Sequence, residues 1–269
     1  MKNGLIRVVV IAGSIILVTS LHVLINRYRP QGNVGGKEGT IIERRLESAR
    51  QLILVVTPEW GAIEGKLQRY ERTEGGSAAW RQYGEALPVV VGKNGLAWAA
   101  EFTAKLGDPS DPVKREGDGR SPAGIFTIGP AFGYDPASSH GQLMIDYLQV
   151  TKDFECVDDC QSTYYNQLRE RSRTPRHDWS SSEVMRRDDD YYRLGVVINH
   201  NYPEPVACRG SCIFLHLWEG PGIGTVGCTA MAAHSMVEVV RWLDRARMPV
   251  LIQMTETHRR LSSWVPHNK

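Results

Sequence analysis

A chain of 269 residues with 42% hydrophobic content can bury a real core, as one large domain or two small ones. Its 32 basic and 30 acidic side chains leave a formal net charge of +2. No basic stripe of the kind that follows a phosphate backbone stands out, which argues against nucleic acid as a partner.

The N-terminal stretch MKNGLIRVVVIAGSIILVTSLHVLINRYRP sets Lys2 and Arg7 ahead of an apolar run from Val8 to Ile25, with Arg27 and Arg29 behind it. As a helix that run would measure about 27 Å, just enough to cross a hydrocarbon core. Residues 1–29 therefore read as an export signal or a membrane anchor. His22 counts against a buried span, and the lack of an A-x-A site counts against efficient cleavage. The first cysteine is Cys156, which excludes a lipoprotein anchor. Either form sends the body of the chain to the periplasm or cell envelope, with membrane contact through this segment if it stays attached. Residues 30–50, rich in glycine and charge, read as a linker.

From there the rhythm is that of a mainly β protein. QLILVVTPEW, GKLQRYER, ALPVVVGKNGLAWA, AGIFTIGPAFGY and RLGVVINHN are short runs of β-branched and aromatic residues punctuated by Gly, Pro or Asn. GKNG reads as a hairpin turn. SSSEVMRRDDDYYRLG offers serine caps to a short helix. AAHSMVEVVRWLDRARMP puts Met236, Val239, Val240 and Leu243 on one helical face, ending near Arg245 ahead of Pro249. A last strand, PVLIQM, follows. One domain over 51–258 with a C-terminal tail at 259–269 is the economical reading, with an α+β fold as the fallback.

Five cysteines fall as Cys156 and Cys160, Cys208 and Cys212, and a solitary Cys228. In an exported protein the four paired ones read as disulfides, and the odd one is a candidate reactive thiol. The same spacing also suits four zinc ligands. Bridges between the two clusters would close loops of about 50 residues and contribute about 4 kcal/mol, whereas bridges within a cluster close almost nothing. Spacing alone leaves open which cysteine of one cluster meets which of the other.

SCIFLHLW is an apolar run with His216 in its middle and reads as a buried strand. EGPGIG then turns the chain, and TVGC is expected to run back alongside, bringing Cys228 to His216. An imidazole beside a thiol is the usual means of lowering its ordinary pKa of about 8.5, so that most of it is thiolate at neutral pH. Gly227 leaves room for a substrate carbonyl, and backbone N–H groups around Cys228 and Thr229 are candidates for an oxyanion hole.

SPAGIFTIG (121–129), followed about ninety residues later by FLHLW and TVGCTAM, resembles the catalytic domain of the L,D-transpeptidases, the YkuD-like family. The likeness is to a divergent branch and runs in unbroken order through VVVGKNGLAWA, KREGDGRSPAGIFTIGPAFGY, CVDD, YYN, GVVINHN, GSCIFLHLW, GCTAM and RWLD. It implies a β-sandwich with a few short helices, carrying a cysteine acyl-transfer site that acts on peptidoglycan stem peptides without metal or cofactor. Cys228 would be the nucleophile and His216 the base, with Gly227 and Thr225 at the glycine and serine of the nucleophile motif. Three departures stand out. Val226 replaces a histidine, Leu217 replaces a glycine, and the arginine usual near Met231 is missing. Carboxylate binding would then fall to Arg120, Arg193 or Arg209. Asn199 and His200 are candidates to orient His216. The branch carries CVDD and GSC together, which implies a 156–212 bridge and, with it, 160–208. The nearest rival is a hydrolase using the same residues. A wall-binding or zinc-stabilised module without activity is the alternative from another class, and a thiol-disulfide oxidoreductase is disfavoured by the lack of C-x-x-C.

Overall fold

The structure, a computed structural model, describes residues 45–72, 79–262 and 265–266. The expected export segment and most of the 30–50 linker lie outside the described residues. Among these, no helix is long and apolar enough to cross a membrane.

Strands dominate, as the β-branched runs predict. They are β1 (Gln51–Thr57), β2 (Glu64–Glu71), β3 (Arg81–Val90), β4 (Leu96–Trp98), β5 (Ser121–Gly133), β6 (Tyr147–Gln149) and β7 (Phe154–Val157). After them come β8 (Leu168–Glu170), β9 (Ser182–Val184), β10 (Leu194–Ile198), β11 (Phe214–Leu217), β12 (Thr229–Met231) and β13 (Val250–Thr255). Short helices α1 (Ala100–Leu106), α2 (Ala233–Trp242) and α3 (Glu256–Leu261) accompany them. The large sheet runs β10-β11-β12-β3-β2-β1-β13-β5, with β4 and β6 attached to β5. The long β5 serves two neighbours, pairing residues 124–127 with β13 and 128–133 with β10. That second pairing returns the path to its start. The result is a closed, barrel-like sheet rather than the two facing layers of a sandwich.

Leu52, Ile53, Phe126, Ile125, Leu215 and Leu251 are fully or almost fully buried in the main core, which α2 caps through Met236, Val239 and Val240. Leu46, Ala49 and Val265 join this core from outside the 51–258 span. The segment from 259 is therefore not all tail, since α3 and Val265 pack on the body. A second, smaller cluster gathers Phe132, Phe154, Cys156, Met185, Tyr192, Cys212, Phe214 and Cys228. It includes residues of the separate three-stranded sheet β8-β7-β9.

Three local expectations are corrected. GKNG does make a tight turn, closed by Gly95 N–H to Gly92 O at 2.7 Å, but its arms do not form a hairpin. β3 pairs with β2 and β12, and β4 pairs in parallel with β5. The segment 180–195 forms β9 rather than a helix. Its serine hydroxyls bind carboxylates instead of capping, Ser182 to Glu155 and Ser180 to Asp159, both at 2.7 Å, and Asp190 has φ of +61°. The C-terminal helix ends at Trp242, and residues 245–247 form a 3-10 turn.

Cys156 is bonded to Cys212 and Cys160 to Cys208, with Cα separations of 5.9 and 5.2 Å, leaving Cys228 free. Four sulfurs engaged in this way are not thiolate ligands, which overturns the four-cysteine zinc reading. Two disulfides suit an oxidising, extracytoplasmic compartment. Thiol titration in denaturant should find one thiol per chain, and three or more would contradict this connectivity. Replacing Cys156 and Cys212 together by alanine should lower stability by about 2–5 kcal/mol, read from the denaturant midpoint.

Candidate active site

The connection after β11 does not turn back as a hairpin, which corrects the expected path. β12 lies parallel to β11, with Leu215 beside Thr229 and His216 beside Ala230. Residues sharing a rung of parallel strands project to the same face, so Phe214, His216, Cys228 and Ala230 share one side of the sheet. Leu215 and Met231 point the other way, into the main core. Cys228 is thus a diagonal neighbour of His216, at about 8 Å between Cα atoms from strand spacing and rise. The two residues share a face, but the sulfur turns to Phe214 N–H and Cys212 O rather than to the imidazole.

The turn that carries Cys228 is clamped from two sides. Thr225 Oγ1 and Ser121 Oγ both donate to the Cys228 carbonyl, at 2.6 and 2.7 Å. Each hydroxyl also accepts a backbone N–H, from Gly227 at 3.1 Å and from Gly92 at 2.8 Å. Thr225 is itself held like a strand residue, accepting from Lys93 N–H at 2.7 Å and donating to Val91 O at 2.9 Å. Gly224 permits this approach, because a Cβ there would stand 2.6 Å from Lys93 Cα. The segments VVVGKNG, SPAG and TVGC therefore converge on one carbonyl. The Cys228 N–H makes no hydrogen bond among the described residues. A Cβ at Gly227 would meet only ordinary contacts, Arg120 O at 3.4 Å and Ile213 Cδ1 at 3.7 Å. The fold does not need a glycine there.

The sulfur is buried, 2% exposed. It accepts the Phe214 N–H at 3.3 Å and donates its proton to Cys212 O at 3.4 Å. His216 is buried too, with Nδ1 at 2.7 Å from Leu217 O. A carbonyl only accepts, so Nδ1 carries the proton and Nε2 keeps its lone pair. Burial drives the imidazole pKa down to about 4 and pushes the Cys228 thiol well above its ordinary range. The resting pair is therefore a thiol and a neutral imidazole, not the preformed thiolate expected from their proximity. Desolvation is the largest cause at both groups, and no hydrogen bond joins Sγ to the imidazole among the described residues.

The other sequence candidates fall mainly to structural duties. Asn199 Nδ2 donates to Thr127 Oγ1 at 2.9 Å. His200 Nε2 donates to Arg209 O at 3.0 Å, and its ring meets Phe126 edge-on. Neither orients His216, because the Leu217 carbonyl does so. Arg120 donates to Leu96 O at 2.9 Å, Arg193 makes exposed ion pairs 3.8 Å long to Asp135 and Asp190, and the Arg209 side chain is exposed. Thr229 Oγ1 bonds Gln253 Oε1 at 2.7 Å.

A cleft of about 210 Å³ opens instead beside His216, lined by that residue, Tyr192, Arg187, Trp218, Thr225 and Val226, with Cys228 behind its lining. The Arg187 guanidinium pairs with Asp189 and lies over the rings of Tyr191 and Tyr192, 5.7 and 5.3 Å from their centroids. Sequence reasoning missed Arg187 and Tyr192. Both sit in RRDDDYY, where a helical reading hid a loop, and no periodicity marks them. The chain matches no protein-family model and no curated protein.

Gly227→Ala should keep the thermal midpoint within a few degrees, because its methyl would meet only ordinary contacts with Arg120 O and Ile213 Cδ1. A large loss of stability would show the glycine to be structural. Since His216 stays neutral down to about pH 4, the acid limb of any reaction that uses it as a base should lie near 4. A pH–rate inflection at 6.5 would contradict this. The same depressed pKa has a stability consequence. An unfolded imidazole binds a proton near its ordinary 6.5 that the buried one refuses, so His216 destabilises the fold progressively as pH falls from 6.5 to about 4.

Proposed function

We propose that the chain is an exported cysteine acyltransferase of the L,D-transpeptidase type, acting on peptidoglycan stem peptides. The observation that carries this reading is an unbridged Cys228 on the same sheet face as His216, which lines the cleft with its Nε2 lone pair available, and on a clamped turn whose Cys228 N–H is unengaged among the described residues. The likeness of SPAGIFTIG, FLHLW and TVGCTAM to that family supports it, and the two disulfides agree with export.

In this reading a bound stem peptide draws the sulfur from the Cys212 carbonyl into the cleft by a change of χ1. The thiol proton passes to His216 Nε2 as sulfur attacks the carbonyl of the diaminopimelate–D-alanine bond. The Cys228 N–H meets the developing oxyanion. The imidazolium returns its proton to the departing D-alanine nitrogen, and a thioester remains. The side-chain amine of a second stem peptide then attacks that thioester, losing its proton to His216, and the thiol is restored. Arg187, the guanidinium at the cleft, serves a substrate carboxylate in place of the missing arginine near Met231.

Purified protein incubated with tetrapeptide muropeptides should yield cross-linked dimers, and Cys228→Ala should abolish them. Shortened monomers alone would assign hydrolysis, and an unaltered mixture would exclude the activity. Arg187→Ala should raise KM about tenfold or more with a smaller change in kcat, and Arg187→Lys should recover part of the loss. An unchanged KM would remove Arg187 from substrate binding.

A further inference from the structure

The dyad has a neighbour that the acyl-transfer steps above do not use. Tyr192 is buried, 4% exposed, in the same cluster as Cys228, and its ring stands edge-on to His216 at 5.1 Å. Phe132 and Phe214 hold the ring from other sides, at 5.9 and 5.5 Å. Its hydroxyl donates to Glu183 Oε2 at 2.5 Å, in the cluster that also holds Cys228. Glu183 reaches this place because β9 pairs with β7, setting Glu183 opposite Cys156. The 156–212 cystine ties that strand to the residue whose carbonyl receives the Cys228 thiol. A carboxyl bonded to a phenol thus shares the buried cluster of the thiol, with the imidazole against the phenol ring.

We propose that Tyr192 is a third catalytic residue, whose hydroxyl hydrogen-bonds the Cys228 thiolate as the sulfur's proton leaves for His216, and that Glu183 is its positioning residue. The phenol has one proton to give. While Glu183 is ionised, that proton is committed to the carboxylate, and a negative charge close to the sulfur opposes thiolate formation. When Glu183 is protonated, its O–H can donate to the phenol oxygen, which frees the phenol proton to face the sulfur. Burial holds the Glu183 carboxyl up to about 7, so both arrangements exist near neutrality. The charged groups that act on this cluster are Arg187 from the following loop, Asp158 and Glu116 toward Glu183, and Lys114 toward the sulfur. No proton changes owner at Tyr192; the relay only redirects its hydrogen bond. The role rests on Cys228 being the nucleophile, as proposed above, but not on which acyl group it takes.

Iodoacetamide alkylation of Cys228 followed against pH tests this without any peptidoglycan substrate. Tyr192→Phe keeps the ring and should slow alkylation about tenfold below about pH 7, where a protonated Glu183 frees the phenol proton for the sulfur, with little change above about pH 8. Glu183→Gln keeps the hydrogen-bonding shape but removes the charge, and should move the inflection down. A loss confined to the acid side in one variant and a lowered inflection in the other are not what a purely structural role produces. A Tyr192→Phe profile that overlays wild type, in a variant folded by circular dichroism, would overturn the proposal. If that variant does not fold, Glu183→Gln decides alone: an inflection unmoved or raised overturns it. Muropeptide turnover by wild type is measured alongside. That pair of outcomes with no wild-type turnover would sustain the relay and defeat the transpeptidase reading.

Discussion

Parallel pairing of β11 with β12 puts His216 and Cys228 on one face of the sheet at a fixed diagonal. Two hydroxyls, from Ser121 and Thr225, then fix the turn on which the sulfur stands by gripping its own carbonyl. Hydrogen bonds of this kind contribute only about 1 kcal/mol each to stability, so their value here lies in geometry. They draw together three stretches of chain that are far apart in sequence, residues 91–93, 121 and 225–228. A cysteine held through its carbonyl has its N–H left for other work. That is why the clamp, more than the core beneath it, shapes what the site can do.

The second constraint is dielectric. The three-stranded sheet shares with one face of the closed sheet the cluster that encloses Cys228, and the 156–212 cystine fastens it there. Burial on that scale penalises both halves of a thiolate–imidazolium pair, and the resting state is neutral. A neutral pair in an oxidising compartment resists adventitious oxidation, because the thiolate is the reactive form. In the proposed reaction, reactivity is drawn out by the substrate, by Tyr192 and Arg187 at the cleft, and by Glu183 behind Tyr192. The disulfides belong to this arrangement as much as to stability, since one of them anchors Cys156, the residue paired with Glu183.

Much of this was open to a reader of the sequence. Continuous apolar runs announce β1, β5, β10 and β13, and the spacing of Met236, Val239 and Val240 announces α2, because burial pattern and local periodicity carry the same information there. The odd cysteine count singles out Cys228, and the apolar run around His216 marks β11. What the sequence hides is non-local. Closure of the sheet depends on β10 meeting β5 across some sixty residues, and no local signal encodes that pairing. The direction of β12 depends on the path of residues 218–224 and on Lys93 capturing Thr225, which EGPGIG read as a simple turn does not reveal. Arg187, Tyr192 and Glu183 lie in a polar excursion without periodicity. Their meaning appears only once the 156–212 bridge folds it back over the sulfur. Asn199 and His200, which looked like partners for the base, bond to Thr127 and to the Arg209 carbonyl instead.

The most direct test of the account is whether Cys228 itself accepts an acyl group. Intact-mass spectrometry after incubation with a carbapenem, an acylating analogue of the scissile peptide, reads this in one step, and peptide mapping locates the bond. The account predicts a single adduct on Cys228, absent from Cys228→Ala and formed far more slowly by His216→Ala. An unmodified protein, or an adduct on any serine, would contradict it.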